Sequence, residues 1–154
     1  MQQESEIIYF YKVDAPYGCF SNFSPDGINI DHVYWPTVEH YYQAHKFIGT
    51  ENVGLIDMIR NVKTPMLAAQ IGRNPQNIIR ADWELVKRDI MTLGVLTKFT
   101  THLELQKILL STGNKIIVED SPTDYYWGCG VNRTGQNHLG KILMDVRATI
   151  LKTL

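Results

Sequence analysis

Three residues on one short segment could together act on one bound ligand, as an acid, an amide and an amine: Glu39, Gln43 and Lys46, within Trp35-Pro-Thr-Val-Glu-His-Tyr-Tyr-Gln-Ala-His-Lys-Phe47. At about 100° per residue of an α-helix, these three side chains fall within roughly 60° of one another on a single stripe. Glu39 and Lys46 are two turns apart, about 10 Å along the axis, which is too far for a simple surface ion pair but suits a ligand lying along the stripe. Tyr41, Tyr42, Ala44 and Phe47 cover most of the remaining surface, so the helix is expected to be largely buried. Charges on a buried helix must be paired or must face a cleft. The simpler alternative is that Glu39 only complements the helix N-terminus while Lys46 snorkels to water.

A second segment, Asp124-Tyr-Tyr-Trp-Gly-Cys-Gly130 followed by Gly135-Gln-Asn-His-Leu-Gly-Lys141, is a glycine-bearing loop that runs into a helix. Gly128, Gly130 and the backbone at Asn137 could approach an anion closely and place it at a helix N-terminus. Asp124 could supply a carboxylate beside Trp127 as a stacking platform. The spacing is not that of a dinucleotide fingerprint, and an ordinary turn-rich connection would look the same. A third segment, Phe20-Ser21-Asn22-Phe23-Ser24-Pro25, has the small polar and aromatic side chains that line a base or sugar pocket, and equally those of a turn. Trp83 and Lys87 sit on a long helix, where Trp83 is of a type more often found in cores than against ligands.

Other chemistries find no support. The five histidines, at 32, 40, 45, 102 and 138, make no His-Glu-x-x-His pattern, there is no Cys-x-x-Cys, and no metal site or cofactor is expected. No Gly-x-Ser-x-Gly elbow marks a serine hydrolase. The two cysteines, Cys19 and Cys129, read as thiols of a reducing compartment. Lys plus Arg number 15 against 16 Asp plus Glu, so the net charge of -1 argues against extensive contact with duplex phosphates. It leaves room for a small phosphorylated ligand. The start, Met1 to Glu6, is polar and acidic, unlike a leader peptide, and no apolar run reaches the roughly 20 residues needed to cross a bilayer. A cytoplasmic location without membrane contact is expected.

The elements that must hold these residues can be read in order. Ile7–Tyr11 is a strand candidate and residues 14–27 a loop. Residues 28–35 form a short hairpin about Asp31-His32. Pro36-Thr37 opens a helix running to about Ile48, Asn52–Val62 forms a second, and Thr64-Pro65 starts a third that Gly72 ends. Asp82 caps a long helix with Trp83, Val86, Ile90, Leu93 and Leu96 inward. Residues 103–110 are helical, Lys115–Glu119 a strand and Asn137–Leu151 the last helix. The 154 residues make one mostly helical α+β domain with a small sheet, long enough to bury its own core.

Taken together, the three motif segments, the stretch Arg80-Ala-Asp-Trp-Glu-Leu-Val-Lys-Arg-Asp-Ile-Met91 and the helix through Arg147 resemble the YbiA-like, or NADAR domain, family over nearly the whole chain. The resemblance implies an α+β, largely helical fold and N-glycosidase activity. Stand-alone members of that family cleave phosphoribosylamino-pyrimidine intermediates of riboflavin biosynthesis, and others remove ADP-ribose from guanine bases. It implies Glu39, Lys46 and Asp124 as catalytic residues, and Ser21, Asn22, Phe23, Trp83, Trp127, Gly128, Gly130 and Asn137 as substrate-binding ones. Cleaving a glycosidic bond builds positive charge at C1, which a carboxylate stabilises. Lys46 has two possible jobs: to hold a phosphate or hydroxyl, or to attack C1 as a nucleophile and give an imine. Three readings follow. The first is hydrolysis of a small phosphorylated riboside. The second is removal of ADP-ribose from nucleic acid or nucleotides, which wants a basic strip to which Lys141 and Arg147 could belong. The third is a non-catalytic NAD or ADP-ribose binding module.

Overall fold

The structure, a computed structural model, describes residues 6–154, so the polar start at Met1–Ser5 lies outside the described residues. Among the described residues four strands and six α-helices follow one another as β1 (Ile7–Phe10), β2 (Ile28–Ile30), β3 (Val33–Trp35), α1 (Val38–His45), α2 (Gly54–Asn61), α3 (Pro65–Arg73), α4 (Trp83–Thr101), α5 (Leu103–Ser111), β4 (Ile116–Glu119) and α6 (His138–Thr153). This is the α+β, mostly helical class that the sequence indicates. The strands make two separate pairs, with β1 parallel to β4 and β2 antiparallel to β3.

The chain divides into two compact units: residues up to 21 together with 99–154, and residues 22–98. In the first unit, Ile8 and Phe10 alternate inward along β1, and Ile117 pairs with Ile8 across the parallel register. Helix α6 packs on β4 with Leu139, Ile142, Leu143, Val146 and Ile150 buried, the 3.6-residue stripe expected of an amphipathic helix. Phe20 meets Phe10 and Phe99 edge-on, with centroids 5.8 and 5.9 Å apart.

In the second unit, β2 and β3 turn through Asp31 (φ 52°) and His32 (φ 66°), both left-handed, as the twist of a two-residue hairpin demands. Thr37 caps α1, its hydroxyl accepting from His40 N at 3.1 Å. Thr64 caps α3 in the same way ahead of Pro65, the favoured first helical residue. Helix α1 packs against both α2 and α3.

Two expectations need correction. Gly72 does not end α3 as a left-handed cap, because the helix continues through Arg73 and Gly72 is a buried position inside it. The inner face of α4 is rotated from the one that hydrophobicity alone selects. The buried residues are Trp83, Met91, Gly94, Val95, Lys98 and Phe99, whereas Leu93 is 46% exposed. The cause is Gly94: a Cβ there would stand 2.7 Å from the Tyr41 ring, so its absence lets α4 lie against α1 along a line an apolar count passes over. Asp82 precedes α4 as expected, but its carboxylate takes both Nε and Nη2 of Arg80, at 2.6 and 3.0 Å.

Candidate active site

Helix α1 supplies the acid and the amine, and its neighbours fix them. Its first turn is pinned by the Glu39 N–H, which donates to Asn22 O at 3.1 Å, while Asn22 Nδ2 lies 3.2 Å from Met91 Sδ of α4. On the side away from the stripe, His40 is fully buried. Its Nε2 is 3.0 Å from Val62 O and its Nδ1 2.7 Å from the Thr37 hydroxyl, and burial pushes its pKa down. With Nε2–H donating to the carbonyl and Nδ1 accepting from the hydroxyl, neutral His40 satisfies both partners and locks the start of the helix.

Along the stripe, Glu39 is 5% exposed and Gln43 1%. Gln43 Nε2 donates to Glu39 Oε1 at 2.7 Å, and Arg73 Nη2 approaches the same oxygen at 4.0 Å. Lys46 follows the last helical residue and is half-buried. Its Nζ donates to Gly72 O at 3.2 Å and lies 5.7 Å from the Tyr42 ring centroid and 5.9 Å from that of Trp83. Those two rings contact each other at 5.1 Å, so Trp83, 4% exposed, is a core residue that also walls the amine. Burial pulls the Lys46 pKa down to about 8. Glu39 opposes that fall, while Arg73 and Lys87 add to it. An amine near 8 is partly neutral at physiological pH and can act as a nucleophile, which an ordinary lysine cannot. The stripe that the sequence defines is therefore one connected set of hydrogen bonds and close charges within the second unit.

The glycine loop belongs to the first unit, and its backbone serves itself. Asp124 Oδ1 accepts from Tyr126 N at 3.0 Å and Trp127 N at 2.8 Å, which sets the turn that presents the half-buried Trp127. The N–H groups of Asn137, His138 and Leu139 donate to Gly128 O, Tyr126 O and Trp127 O. Of the backbone donors that the sequence offers to a phosphate, that of Asn137 is thus given to the loop itself. Asn137 instead staples α6 to β4, its Oδ1 accepting from Glu119 N and its Nδ2 donating to Ile117 O, both at 2.9 Å. The glycines have a like reason: a Cβ on Gly128 would meet Glu119 O at 2.9 Å, and one on Gly130 (φ +73°) would meet the Tyr125 ring at 2.1 Å. They allow the loop to fold on itself.

Of the remaining expected residues, Ser21 and Asn22 are buried and Phe23 half-buried. Arg147 does not belong to a surface strip. It is 7% exposed, with Nη1 donating to Thr112 Oγ1 at 2.8 Å and Lys115 O at 2.9 Å, and it braces the first unit. Arg73, Gly72 and Tyr42 are the site-forming residues that the motif reading passes over. Nothing in a single sequence distinguishes Gly72 from a helix stop or Arg73 from a solvated helix end. Among the described residues no group of three metal-ligating side chains occurs, and no helix is long and apolar enough to cross a membrane.

Helix α1 and the residue that ends it thus carry a buried carboxylate and an amine of lowered pKa, the amine walled by two aromatic rings. The model of the NADAR domain matches residues 9–151, and the chain belongs to the NADAR domain family. It is 55% identical over 147 residues to N-glycosidase Npun_R5314 of Nostoc punctiforme, covering 96% of this chain and 94% of that protein. It is 45% identical over 163 residues to the chloroplastic riboflavin biosynthesis protein PYRR of Zea mays, covering 98% of this chain but 26% of that one. The NMR structure of the E. coli protein YbiA superposes with a TM-score of 0.88 at 39% identity, covering 99% of this chain and 89% of that one.

Proposed function

We propose that this chain hydrolyses the N-glycosidic bond of phosphorylated ribosylamino-pyrimidines, intermediates of riboflavin biosynthesis, and releases ribose 5-phosphate. The chain is an N-glycosidase, and its likeness to proteins named for riboflavin biosynthesis supports the substrate class. The observation that carries the reading is one helix that bears buried Glu39 and ends on the half-buried Lys46 amine, brought down to about 8 by burial.

The neutral amine of Lys46 adds to C1 of the ribose as the bond from C1 to the pyrimidine amine breaks. The ionised carboxylate of Glu39 stabilises the positive charge that builds at C1 as that bond breaks; it then takes the proton that the attacking nitrogen sheds and passes it to the departing nitrogen. The ring oxygen then leaves C1 and receives the remaining proton of the attacking nitrogen, which gives an imine between Lys46 and the open sugar. Water adds to that carbon, the amine departs, and the sugar closes again. Arg73, whose side chain is 60% exposed, is the cation for the phosphate.

Incubation with a phosphoribosylamino-pyrimidine and, separately, with ADP-ribosylated guanosine, followed by mass spectrometry of the released sugar, tests the reading. Ribose 5-phosphate from the first is expected. Turnover of the second alone would overturn it.

A further inference from the structure

Behind the acid and the amine lies a small packing device in which one residue contributes a side chain and the other the lack of one. Gln43 is 1% exposed, yet its Oε1 is buried without a hydrogen-bond partner. A buried carbonyl oxygen with no donor costs stability, and an apolar residue of similar length would avoid that cost. What the amide does achieve is on its other arm, where Nε2 donates to Glu39 Oε1 at 2.7 Å. The amide fits there because position 72 of α3 is glycine. A Cβ at that position would stand 1.9 Å from Gln43 Oε1, 2.7 Å from Cδ and 2.9 Å from Cβ. The same Gly72 turns its main-chain carbonyl to the Lys46 amine at 3.2 Å.

We propose that Gln43 and Gly72 are positioning residues for the glycosidase reaction: Gly72 leaves the space through which the Gln43 amide reaches Glu39, and its carbonyl holds Lys46. Neither needs to touch substrate. Gln43 fixes the rotamer of Glu39 and favours its ionised form by donating to it. Gly72 couples the two ends of the stripe, so a change at one position of α3 reaches both reacting groups. Charged groups facing Glu39 include Arg73 from α3 and Lys46 at the end of its own helix, and Lys87 of α4 acts on Lys46. His40 is turned away to Val62. None of these is altered by a change at Gln43, so a shift in the pH profile reports on the amide itself.

This inference rests on the N-glycosidase reading. The test is the pH profile of kcat and kcat/KM for Gln43→Met and Gly72→Ala against the wild type, with melting temperatures. Gln43→Met removes the partnerless carbonyl and the donor together, so it should melt no lower than the wild type. Its turnover at pH 7 should fall about tenfold with KM within about twofold, and the acid limb should move up by about one pH unit. Gly72→Ala should show the same upward displacement if it folds. Gln43→Glu, which sets a second carboxyl against Glu39, should move the limb further still. A folded Gln43→Met protein with an unmoved acid limb overturns the inference. A carbon-13 NMR titration of the Glu39 carboxyl in wild type and Gln43→Met needs no substrate. If it moves upward in a chain that cleaves no riboside, the functional reading fails and the positioning role stands. If it does not move, the positioning role fails whatever the activity.

Discussion

Glu39 and Arg73 stand 4.0 Å apart, one with its side chain 7% exposed and the other 60% exposed. The carboxylate is fixed by Gln43 and the helix start, while the guanidinium reaches water from the last turn of α3. So loose a pair contributes little to stability. Its value lies in offering a cation beside a buried acid.

If Arg73 receives the substrate phosphate, Arg73→Ala should raise KM for the phosphorylated riboside about tenfold, leave kcat within a few-fold, and have little effect on KM for the dephosphorylated riboside. Steady-state kinetics on the two substrates measure this. Equal losses on both would assign Arg73 to the support of Glu39 instead.

Lys46 carries two linked expectations. Adding borohydride during turnover should reduce the imine and leave a stable sugar adduct on Lys46 in the tryptic peptide map. In the folded chain its pKa is about 8, against 10.5 as its ordinary value. Between those values the unfolded chain binds the extra proton, so this residue makes stability rise with pH from about 8 to about 10.5, and below 8 its penalty is fully present. Lys46→Met should therefore melt no lower than the wild type at pH 7 while turnover falls by about a hundredfold or more. Calorimetry across that pH range, with an activity assay, checks both.

Much of this was legible in the residues. The stripe of Glu39, Gln43 and Lys46 follows from helix geometry, and Thr37 and Thr64-Pro65 mark helix starts as capping chemistry requires. Asp31-His32 could be placed in a turn because the flanking apolar residues alternate. What could not be read depends on close approach between distant segments. Gly72 looks like a helix stop until Gln43 is seen to fill the space beside it, and Gly94 hides the true inner face of α4 until Tyr41 is set against it. The start of α6 is a further case, because the N–H groups of Asn137, His138 and Leu139 go to carbonyls of the preceding loop.

Asp124 is the second carboxylate named from sequence. Its Oδ1 accepts two backbone N–H groups, and Asp124→Asn keeps an acceptor at that atom while removing the charge. The variant should fold and melt like the wild type, and turnover should fall at least about tenfold if the carboxylate takes part in the chemistry. Unchanged turnover would leave Asp124 as a brace for the loop alone.

Arg147 offers a structural control. Arg147→Met leaves Thr112 Oγ1 and Lys115 O without their donor inside the first unit. A loss of about 2–3 kcal/mol follows, which is a melting temperature lower by about 5–10 °C. Activity per folded molecule should be unchanged, and oligonucleotide binding should be no weaker than in the wild type. A variant as stable as the wild type would contradict the bracing role.

The most direct measurement is the rate of ribose 5-phosphate release by purified Glu39→Gln beside the wild type, at pH 7.5, with circular dichroism to confirm that both are folded. The amide preserves the size of the side chain but can neither accept the proton shed by Lys46 nor stabilise a cationic C1. Release slowed by about a hundredfold or more in a folded variant is the expected result. Release at the wild-type rate would contradict the assignment of the acid–amine pair on α1 as the site of cleavage.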